Sequence, residues 1–333
     1  MPSASLQIAI DHYLQFVSKS CSENTYRTYS QALRKFMAML KKHNVDSNQA
    51  SPADVSTDWV GWYVTLLKPH APSTESLFLT AVVGFYEYLA AEENVPVNLT
   101  QVRSMLKRRQ RKVTPRLPQF PREQIESVIS YVNTIASAPS KADKEHLRRL
   151  RDRAFILTLS DTGLRISEAC RLTRGHIDWE EGRAIVTIKG GRESVVRFSA
   201  RALSAVKVYL RARAELDGAT GRTLASLPVF ARHDDGAGKK VLRLNTVGAR
   251  ETVNKAVIGA LGENARGTIT PHSFRHYFVT VVLRSSGGNL KLAQELARHK
   301  NIAITQRYAH LSDDDLDRGY HEIFNRRSGA KED

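Results

Sequence analysis

Histidine, arginine and tyrosine side chains recur late in the chain at spacings that suit helices. The segment T-P-H-S-F-R-H-Y-F (270–278) opens with Thr-Pro, a helix-start signal, so His272 and Arg275 share one helix face. A second helix is expected to end before His299, and Tyr308 follows that histidine by nine residues. Two imidazoles, a guanidinium and a phenol are the groups needed to attack a phosphodiester with a side-chain oxygen.

A further arginine lies upstream, in the sequence D-T-G-L-R-I-S-E (161–168). Gly163 permits a tight turn, and Arg165 and Glu168 stand three residues apart at the start of the next predicted helix. Taken alone, such a pair is usually a surface ion pair, and a lone tyrosine is usually half-buried packing. The order of all the groups is what indicates a site.

That order resembles the signature of the tyrosine recombinase (phage integrase) family, and more narrowly a Xer-like or small integrative-element integrase. The resemblance implies a site-specific DNA recombinase that cleaves and rejoins strands through a 3′-phosphotyrosine intermediate, without metal, cofactor or ATP. The sequence shows no carboxylate cluster with metal spacing, in keeping with that chemistry. The catalytic residues implied are Arg165, Lys189, His272, Arg275, His299 and Tyr308, with Glu168 in a supporting position.

Each group has an expected role. Arg165 and Arg275 would donate hydrogen bonds to the non-bridging phosphate oxygens, with His299 as a further donor. His272 would be the acid/base partner or an orienting donor near the nucleophile. By resemblance, Lys189 at a glycine-rich hairpin tip would protonate the leaving 5′ oxygen, and Tyr308 would attack.

The chain departs from the family pattern at two positions. Ala297-Arg298 precedes His299 where the family usually has Leu-Gly, which adds a cation beside the site and is expected to alter the local turn. Phe274 replaces a leucine between the histidine and arginine of the H-x-x-R motif, a packing change. Neither departure removes a catalytic group.

Composition and charge indicate a polyanionic partner. The 333 residues are 41% hydrophobic and 25% charged, and the formal net charge is +16. Residues 1–102 carry about −2 and residues 103–333 about +18. Cys21 and Cys170 lack the spacing of a zinc or disulfide framework, and no membrane span or signal peptide is recognisable. We expect a soluble, cytoplasmic, nucleoid-associated protein that binds double-stranded DNA recombination sites.

The patterning predicts a mainly α-helical protein with a small antiparallel sheet. It divides the chain into helical residues 1–106, a basic linker 107–120 and residues 121–333. The resemblance implies that the first part is a SAM-like core-binding domain and the last the catalytic domain with a C-terminal tail helix. By resemblance the two domains form a C-shaped DNA clamp. Apolar and aromatic residues at helical spacing in the first domain are interpreted as core.

Two basic segments are candidates for phosphate contact. One is a face of the second predicted helix, which is either solvated or bound to DNA. The other is the linker, where prolines at three-residue spacing follow a basic run. The DNA-binding candidates are Arg27, Arg34, Lys35, Lys107, Arg108, Arg109, Arg111 and Lys112.

Between the two arginine motifs the hydrophobic period changes from 3.6 to 2. Residues 176–179, 184–188 and 195–198 are β-rich runs separated by glycine turns, and they predict a three-stranded antiparallel meander. Helices are predicted over 200–216 and 245–261. We interpret the intervening segment, 218–243, as a polar surface loop, so His233, Asp234 and Asp235 are not assigned to a metal.

The tail beyond Tyr308 starts with three aspartates and continues with apolar residues at helical spacing. This predicts an amphipathic helix that either packs on its own domain or, as the resemblance implies, docks into a neighbouring protomer. The second possibility gives a homotetramer on two DNA sites, formed from a protein that is monomeric when free. A type IB topoisomerase and a catalytically silent DNA-binding protein remain the alternative functions.

Overall fold

The computed structural model describes residues 5–93, 95–111, 121–140, 143–188, 191–306 and 308. The chain divides into two units, Met1–Pro115 and Arg116–Asp333, and each unit has its own hydrophobic core. Helices dominate both units, and the second adds a small antiparallel sheet. The predicted fold class is therefore confirmed. None of the described helices combines the length and apolar character that crossing a membrane requires.

Short polar side chains fix the starts of helices in the first unit. The Oγ of Ser22 accepts a hydrogen bond from the Thr25 N–H, and the Oδ1 of Asn98 accepts one from the Gln101 N–H. These bonds satisfy amide groups that the first turn of a helix leaves without a partner. The helices described in this unit are α1 (Leu6–Ser20), α2 (Glu23–Lys42), α3 (Thr57–Leu67), α4 (Pro72–Glu92) and α5 (Leu99–Arg109).

A separate 3-10 turn, Pro52–Asp54, precedes α3. The Ser51 N–H donates to Asp54 Oδ2 at 2.8 Å, which closes that turn on itself. The helix proper then begins after Ser56, whose Oγ accepts from the Asp58 N–H.

Aromatic residues fill the core of the first unit, as predicted. Phe36 and Tyr63 are fully buried and meet edge to face, with ring centroids 5.3 Å apart. The Tyr63 hydroxyl donates to the Ala32 carbonyl at 2.7 Å, so its polar end is satisfied inside the bundle.

The second unit is built around one central helix. Residues 154–160 are all buried, because several other helices pack against this helix. Its C-terminal end leads directly into the turn that carries Arg165. The helices described here are α6 (Arg122–Ser137), α7 (Asp143–Thr162, the central one), α8 (Ile166–Arg171), α9 (Ala200–Ala212), α10 (Ala214–Gly218), α11 (Thr246–Leu261), α12 (Pro271–Ser285), α13 (Leu290–Ala297) and α14 (Ile302–Gln306).

The predicted meander is present, in the order β1 (Ile177–Asp178), β2 (Arg183–Thr187), β3 (Glu193–Arg197). Both pairings are antiparallel, with Ile177 opposite Ala184 and Ile185 opposite Val195. Alternate residues of β2 are buried and exposed, so one face of the sheet packs on the core. Lys189, in the connection between β2 and β3, lies outside the described residues.

The interpretation of 218–243 as a polar surface loop is wrong for part of its length. Its apolar run, 227–231, is buried, because it packs beneath the helices and bridges to neighbouring segments. His233, two residues after this run, is also buried, and its Nε2 is 2.8 Å from the Tyr209 hydroxyl. Asp234 and Asp235 do lie at the surface, paired with Arg232 and Lys144. Within the described ranges no group of histidine, cysteine and acidic residues could hold a metal ion.

Candidate active site

A glycine turn places the first arginine. Helix α7 ends at Thr162, whose Oγ1 donates to the Thr158 carbonyl at 2.6 Å and accepts from the Leu164 N–H at 3.2 Å. Gly163 has a φ of +60°, and a Cβ at this position would collide with the ring of Phe278. Both the backbone conformation and the close approach therefore require glycine here.

Arg165 is held by Glu168 as the sequence predicted. The Arg165 N–H donates to Glu168 Oε2 at 2.9 Å, and its guanidinium donates to Oε1 at 2.8 Å. The Glu168 side chain is 4% exposed while that of Arg165 is 45% exposed. Burial raises the pKa of Glu168, but hydrogen bonds from Arg165 and the nearby charge of Arg298 lower it more, so the net pKa lies below the usual value. An ionised, buried carboxylate thus aims an accessible guanidinium.

Arg275 occupies the opposite situation, because it is almost completely buried. Its two terminal nitrogens donate to the carbonyl oxygens of Gly163 and Ala297. It therefore ties the α7–α8 turn to the end of α13. Burial, followed by repulsion from Arg165 and Arg298, lowers the pKa of Arg275 to about 9, so it stays protonated at neutral pH.

Arg298 is a third guanidinium in this cluster. It caps α13 with a φ of +57°, and its buried side chain donates to the Gly163 carbonyl at 3.3 Å and to Glu168 at 3.5 Å. Arg165 and Arg298 both contact the Glu168 carboxylate, and Arg275 lies near enough to be influenced by its charge, so three guanidiniums share one carboxylate. This uncompensated positive charge suits an anionic group such as a phosphodiester.

His299 is fixed in a buried position next to this cluster. Its backbone N–H donates to the Gln294 carbonyl at 3.0 Å. The Nδ1 of its ring is 2.9 Å from the Oγ1 of Thr305 on α14. Burial, followed by the charges of Arg275 and Arg165, lowers the pKa of His299 to about 4. Its imidazole is therefore neutral at physiological pH and can donate one N–H to a substrate oxygen.

His272 lies on the first turn of α12, at the surface. The cap of this helix is a hydrogen bond from the Thr270 N–H to Ser273 Oγ at 3.0 Å, which confirms the predicted helix start. Loss of water around the ring, followed by the charges of Arg275 and Arg165, lowers the pKa of His272. The imidazole thus faces the same arginines that flank the other site residues.

Tyr308 reaches the site within its own chain. Its ring packs against the apolar cluster of Val279, Leu283, Ala293 and Ala297, and lies nearly parallel to the His299 ring at 6.4 Å. The Tyr308 hydroxyl is hydrogen-bonded to Nδ1 of His276.

His276 is the functional residue that the sequence analysis missed. It lies one turn beyond His272 on the same face of α12, and the two rings meet edge to face at 4.2 Å. The signal was present in the segment H-S-F-R-H, where a second histidine stands four residues after the first. Spacing alone could not say which of the two histidines meets the phenol.

The structure therefore brings together most of the predicted catalytic set, with His276 added. Lys189 and the tail beyond Tyr308, including Tyr320, lie outside the described residues. The residues brought together are Arg165, Glu168, His272, Arg275, His299 and Tyr308.

The basic candidates on α2 differ in their surroundings. Arg27 is exposed and pairs with Glu23 at 2.9 Å, and the exposed Arg34 donates its Nε–H to the Ser30 carbonyl at 3.2 Å. Lys35 is partly buried, with its Nζ 2.9 Å from His70 Nε2. Arg27 and Arg34 therefore present charge to solvent, whereas Lys35 is engaged within the bundle.

The second basic segment is partly helical. Helix α5 continues through Arg109, three residues into the predicted linker, and Lys107, Arg108 and Arg109 form its exposed last turn. Cations there complement the helix dipole. Arg111 is instead committed to the fully buried Glu75, with its Nε 2.6 Å from Oε2 and its backbone N–H 3.1 Å from Oε1. Lys112 lies outside the described residues.

Two family models and several relatives match this chain. The model of the Phage integrase family matches residues 120–315, and that of the Phage integrase, N-terminal SAM-like domain matches residues 10–93. Tyrosine recombinase XerC of Pelobacter propionicus is 30% identical over 302 residues, covering 90% of this chain and 88% of that protein. Tyrosine recombinase XerC of Halalkalibacterium halodurans is 30% identical over 307 residues, covering 90% and 91%.

Solved structures share the fold. XerH site-specific recombinase bound to its difH substrate has a TM-score of 0.69 at 17% identity, with 95% of each chain covered. A lambda integrase dimer bound to a COC′ core site has a TM-score of 0.60 at 16% identity, covering 92% of this chain and 95% of that one. These matches do not favour the alternatives of a topoisomerase or a silent DNA-binding protein. The chain belongs to the phage integrase family of tyrosine recombinases.

Proposed function

We propose that this recombinase cleaves one DNA strand with Tyr308 and rejoins it to another through a 3′-phosphotyrosine ester. The observation that carries the proposal is the placement of the Tyr308 hydroxyl beside neutral histidines and an excess of guanidinium charge. As the phenolic oxygen attacks phosphorus in line, the bond to the 5′ oxygen breaks. The ester conserves the energy of the phosphodiester, so rejoining needs no ATP.

The arginines stabilise the charge that develops on the non-bridging oxygens. Arg165 is accessible enough to meet the phosphate directly, whereas Arg275 acts from the floor of the site, where low solvent exposure strengthens its field. His299 donates a hydrogen bond to the same oxygens. Lys189 supplies the proton for the leaving 5′ oxygen, and His272 orients the phosphate or the nucleophile.

The partners we assign are specific duplex sites. XerH is described bound to a difH substrate and lambda integrase to a core site, and an analogous pair of sites is proposed for this chain. Two sites require four protomers, so we assign a homotetramer on DNA that assembles from monomers. The exposed cations of α2 and the end of α5 contact phosphates, and the enzyme works with the nucleoid in the cytoplasm.

Trapping covalent protein–DNA complexes tests this proposal and identifies the DNA sequence that is cleaved. The protein is incubated with a library of random duplexes, denatured, and the DNA attached to it is sequenced. We expect one enriched sequence with inverted half-sites, and a peptide modified at Tyr308. Tyr308→Phe should bind this duplex but form no adduct, while Tyr320→Phe forms it. Attachment through Tyr320 would assign the wrong nucleophile.

Metal dependence separates this chemistry from that of other nucleases. Because guanidiniums carry the charge stabilisation, cleavage of the trapped sequence should continue in excess EDTA. Arg165→Ala should reduce the rate by about 10²–10³-fold or more under the same conditions. Cleavage that stops in EDTA and returns with magnesium would contradict the mechanism.

A further inference from the structure

His276 contacts the hydroxyl group that the proposed function makes the nucleophile. Nδ1 of His276 and the Tyr308 oxygen are hydrogen-bonded, and the ring centroids are 5.2 Å apart. Each partner is held by its own element, since His276 belongs to α12 and the Tyr308 ring packs on apolar residues of α12 and α13. The geometry is therefore set before DNA arrives.

A neutral His276 ring is able to accept the phenol proton. Burial, followed by the neighbouring His272 and Arg275, lowers the pKa of His276 to about 4, so its ring is neutral at pH 7. A neutral imidazole that accepts at Nδ1 carries its proton on Nε2. In that tautomer the phenol donates to His276, which is the direction its proton must take when the oxygen becomes a nucleophile.

The neighbouring histidines are placed for other tasks. Nδ1 of His299 is 2.9 Å from the Thr305 hydroxyl, which orients that ring within its own loop. His272 is at the surface, and partial loss of water followed by the charges of Arg275 and Arg165 lowers its pKa, so it faces the position where a phosphate would lie. His276 lies between His272 and the phenol.

We propose that His276 is the general base for Tyr308, an inference that rests on the proposed function. As the bond from the phenolic oxygen to phosphorus forms and the bond to the 5′ oxygen breaks, the phenol proton moves to Nδ1 of His276. The leaving oxygen takes its proton from the acid assigned to Lys189. In rejoining, the 5′ hydroxyl returns a proton to Lys189, and the imidazolium returns one to the phenolate, so the cycle is balanced.

The charged surroundings make this base respond to substrate. His272 and Arg275 on α12 face His276, and Arg165 lies beyond them at the α7–α8 turn. A phosphodiester bound among the guanidiniums adds a negative charge that offsets them and raises the affinity of His276 for a proton. His276 therefore becomes a stronger base when DNA occupies the site, which protects the free enzyme from unproductive ionisation of Tyr308.

The tautomer can be tested without DNA. The full chain is labelled with 15N-histidine and its imidazole nitrogens are followed by NMR at pH 7. We expect His276 to carry its proton on Nε2, and Tyr308→Phe to shift the Nδ1 resonance, while the exposed His146 stays unchanged. A proton on Nδ1 of His276, or no response to Tyr308→Phe, would overturn the assignment.

Kinetics then separate a base from a residue that only positions the phenol. His276→Asn keeps an acceptor near the Nδ1 position but cannot take the proton at neutral pH, and it should slow single-turnover cleavage of the trapped duplex by about 10²–10⁴-fold. His146→Asn, with the same change at an exposed site of α7, should cleave at the wild-type rate. Thermal melts of both variants check that the fold is intact.

Two chemical substitutions show whether His276→Asn is slowed in removing the phenol proton or in releasing the 5′ oxygen. Placing 3,5-difluorotyrosine at position 308 makes the phenol more acidic, so it should restore much of the rate lost in His276→Asn. A duplex with sulfur replacing the 5′ oxygen needs no acid to release its leaving group, so it should not rescue this variant. Rescue by sulfur, no rescue by fluorine, or a loss below about tenfold would refute the base while leaving the function standing. Failure of the wild-type protein to attach through Tyr308 would instead remove the function.

Discussion

Arg298 adopts a backbone conformation that glycine reaches without cost. Its φ is +57°, in the left-handed region. A non-glycine residue there costs about 1–2 kcal/mol. Its side chain offsets this cost through hydrogen bonds to the Thr162 and Gly163 carbonyls and the ion pair with Glu168. The left-handed turn before His299 is therefore stabilised by the side chain of Arg298 itself.

This balance predicts different outcomes for two substitutions at one position. Arg298→Ala loses the side-chain bonds and keeps the backbone cost, whereas Arg298→Gly loses both. The glycine variant should therefore be more stable than the alanine variant by about 1 kcal/mol, measured by urea unfolding. In both variants the pKa of His299 should rise, because a neighbouring cation has been removed. Equal stability of the two variants would show that the backbone carries no cost.

For individual residues, the sequence predicted the side chains of the candidate site but not all of the groups that they contact. Arg165 and Glu168 could be paired from spacing alone, since both lie within one helical turn of each other. The contact of His276 with Tyr308 joins residues 32 positions apart, so it depends on how α12 and α13 pack. The burial of Arg275 against two carbonyls has the same origin, and no local pattern could have revealed it.

Two arginines of the first unit differ in whether their guanidinium is exposed or paired with a buried carboxylate. Arg34 is exposed on α2, whereas Arg111 is paired with the buried Glu75 beyond the end of α5. Arg34→Ala should weaken binding to duplexes of any sequence and reduce the slope of log K against log salt by about 1. Arg111→Ala should instead destabilise the helical unit by about 2–3 kcal/mol, because Glu75 loses its main partner.

Salt-dependent fluorescence anisotropy and urea unfolding measure the two effects separately. Although burial raises the pKa of Glu75, hydrogen bonds from the backbone and side chain of Arg111 and from Lys68 hold it below the usual value. Arg111→Ala removes the guanidinium and leaves the buried carboxylate with fewer donors. The double variant Glu75→Gln with Arg111→Ala should therefore be more stable than Arg111→Ala alone. An Arg111→Ala protein of unchanged stability but lower salt slope would make Arg111 a phosphate contact.

Buried histidines make the catalytic unit sensitive to acid. Burial, followed by the charges of Arg151 and Arg213, lowers the pKa of His233 to about 3. Below the unfolded value of about 6.5 the unfolded chain binds a proton that the folded chain does not, so stability falls as the pH decreases from 7 to 5. The loss due to His233 should be on the order of 1–2 kcal/mol at pH 5.

A neutral substitute isolates this contribution. His233→Asn should narrow the difference in unfolding free energy between pH 7 and pH 5 by that amount, while the exposed His146→Asn leaves it unchanged. The Tyr209 hydroxyl contacts His233 at 2.8 Å. It keeps a hydrogen-bond acceptor in both His233→Asn and His146→Asn. An identical pH dependence in His233→Asn and the wild type would mean that His233 is not the titrating group.

Elements with a clear hydrophobic period could be predicted, and those set by tertiary contacts could not. The start of α12 and the three strands follow from turn residues and apolar spacing, which act locally. The helix predicted over 200–216 is broken after Ala212, because the fully buried Arg213 donates to Asp217 and to the Pro228 carbonyl. The burial of 227–231 likewise depends on distant helices.

For the whole molecule, charge and the position of Tyr308 bear on assembly. Residues 103–333 carry about +18 and residues 1–102 about −2, so long-range attraction to DNA resides mainly in the second part of the chain. Tyr308 contacts His276 and the apolar cluster of α12 and α13 in its own chain. Tyr308, the proposed nucleophile, is thus positioned by residues of its own protomer.

We predict that truncation after Leu311 separates cleavage from assembly. The truncated protein keeps every described contact of Tyr308, so it should bind one site, form the covalent adduct, and melt within a few degrees of the full chain. It should fail to form four-protomer complexes on two-site DNA and fail to recombine, because the tail helix expected to dock into the neighbouring protomer is missing.

Native mass measurement on two-site DNA reads out assembly, and adduct formation on a single site reads out cleavage. A point variant provides the matched control, since Ile323→Asp should interrupt the apolar face of the tail without shortening the chain. Tetramers and full-rate recombination after truncation would show that the tail packs on its own domain or is dispensable. An unfolded truncated protein with a folded, tetrameric Ile323→Asp variant would likewise exclude a coupling role, because the tail would then serve stability alone.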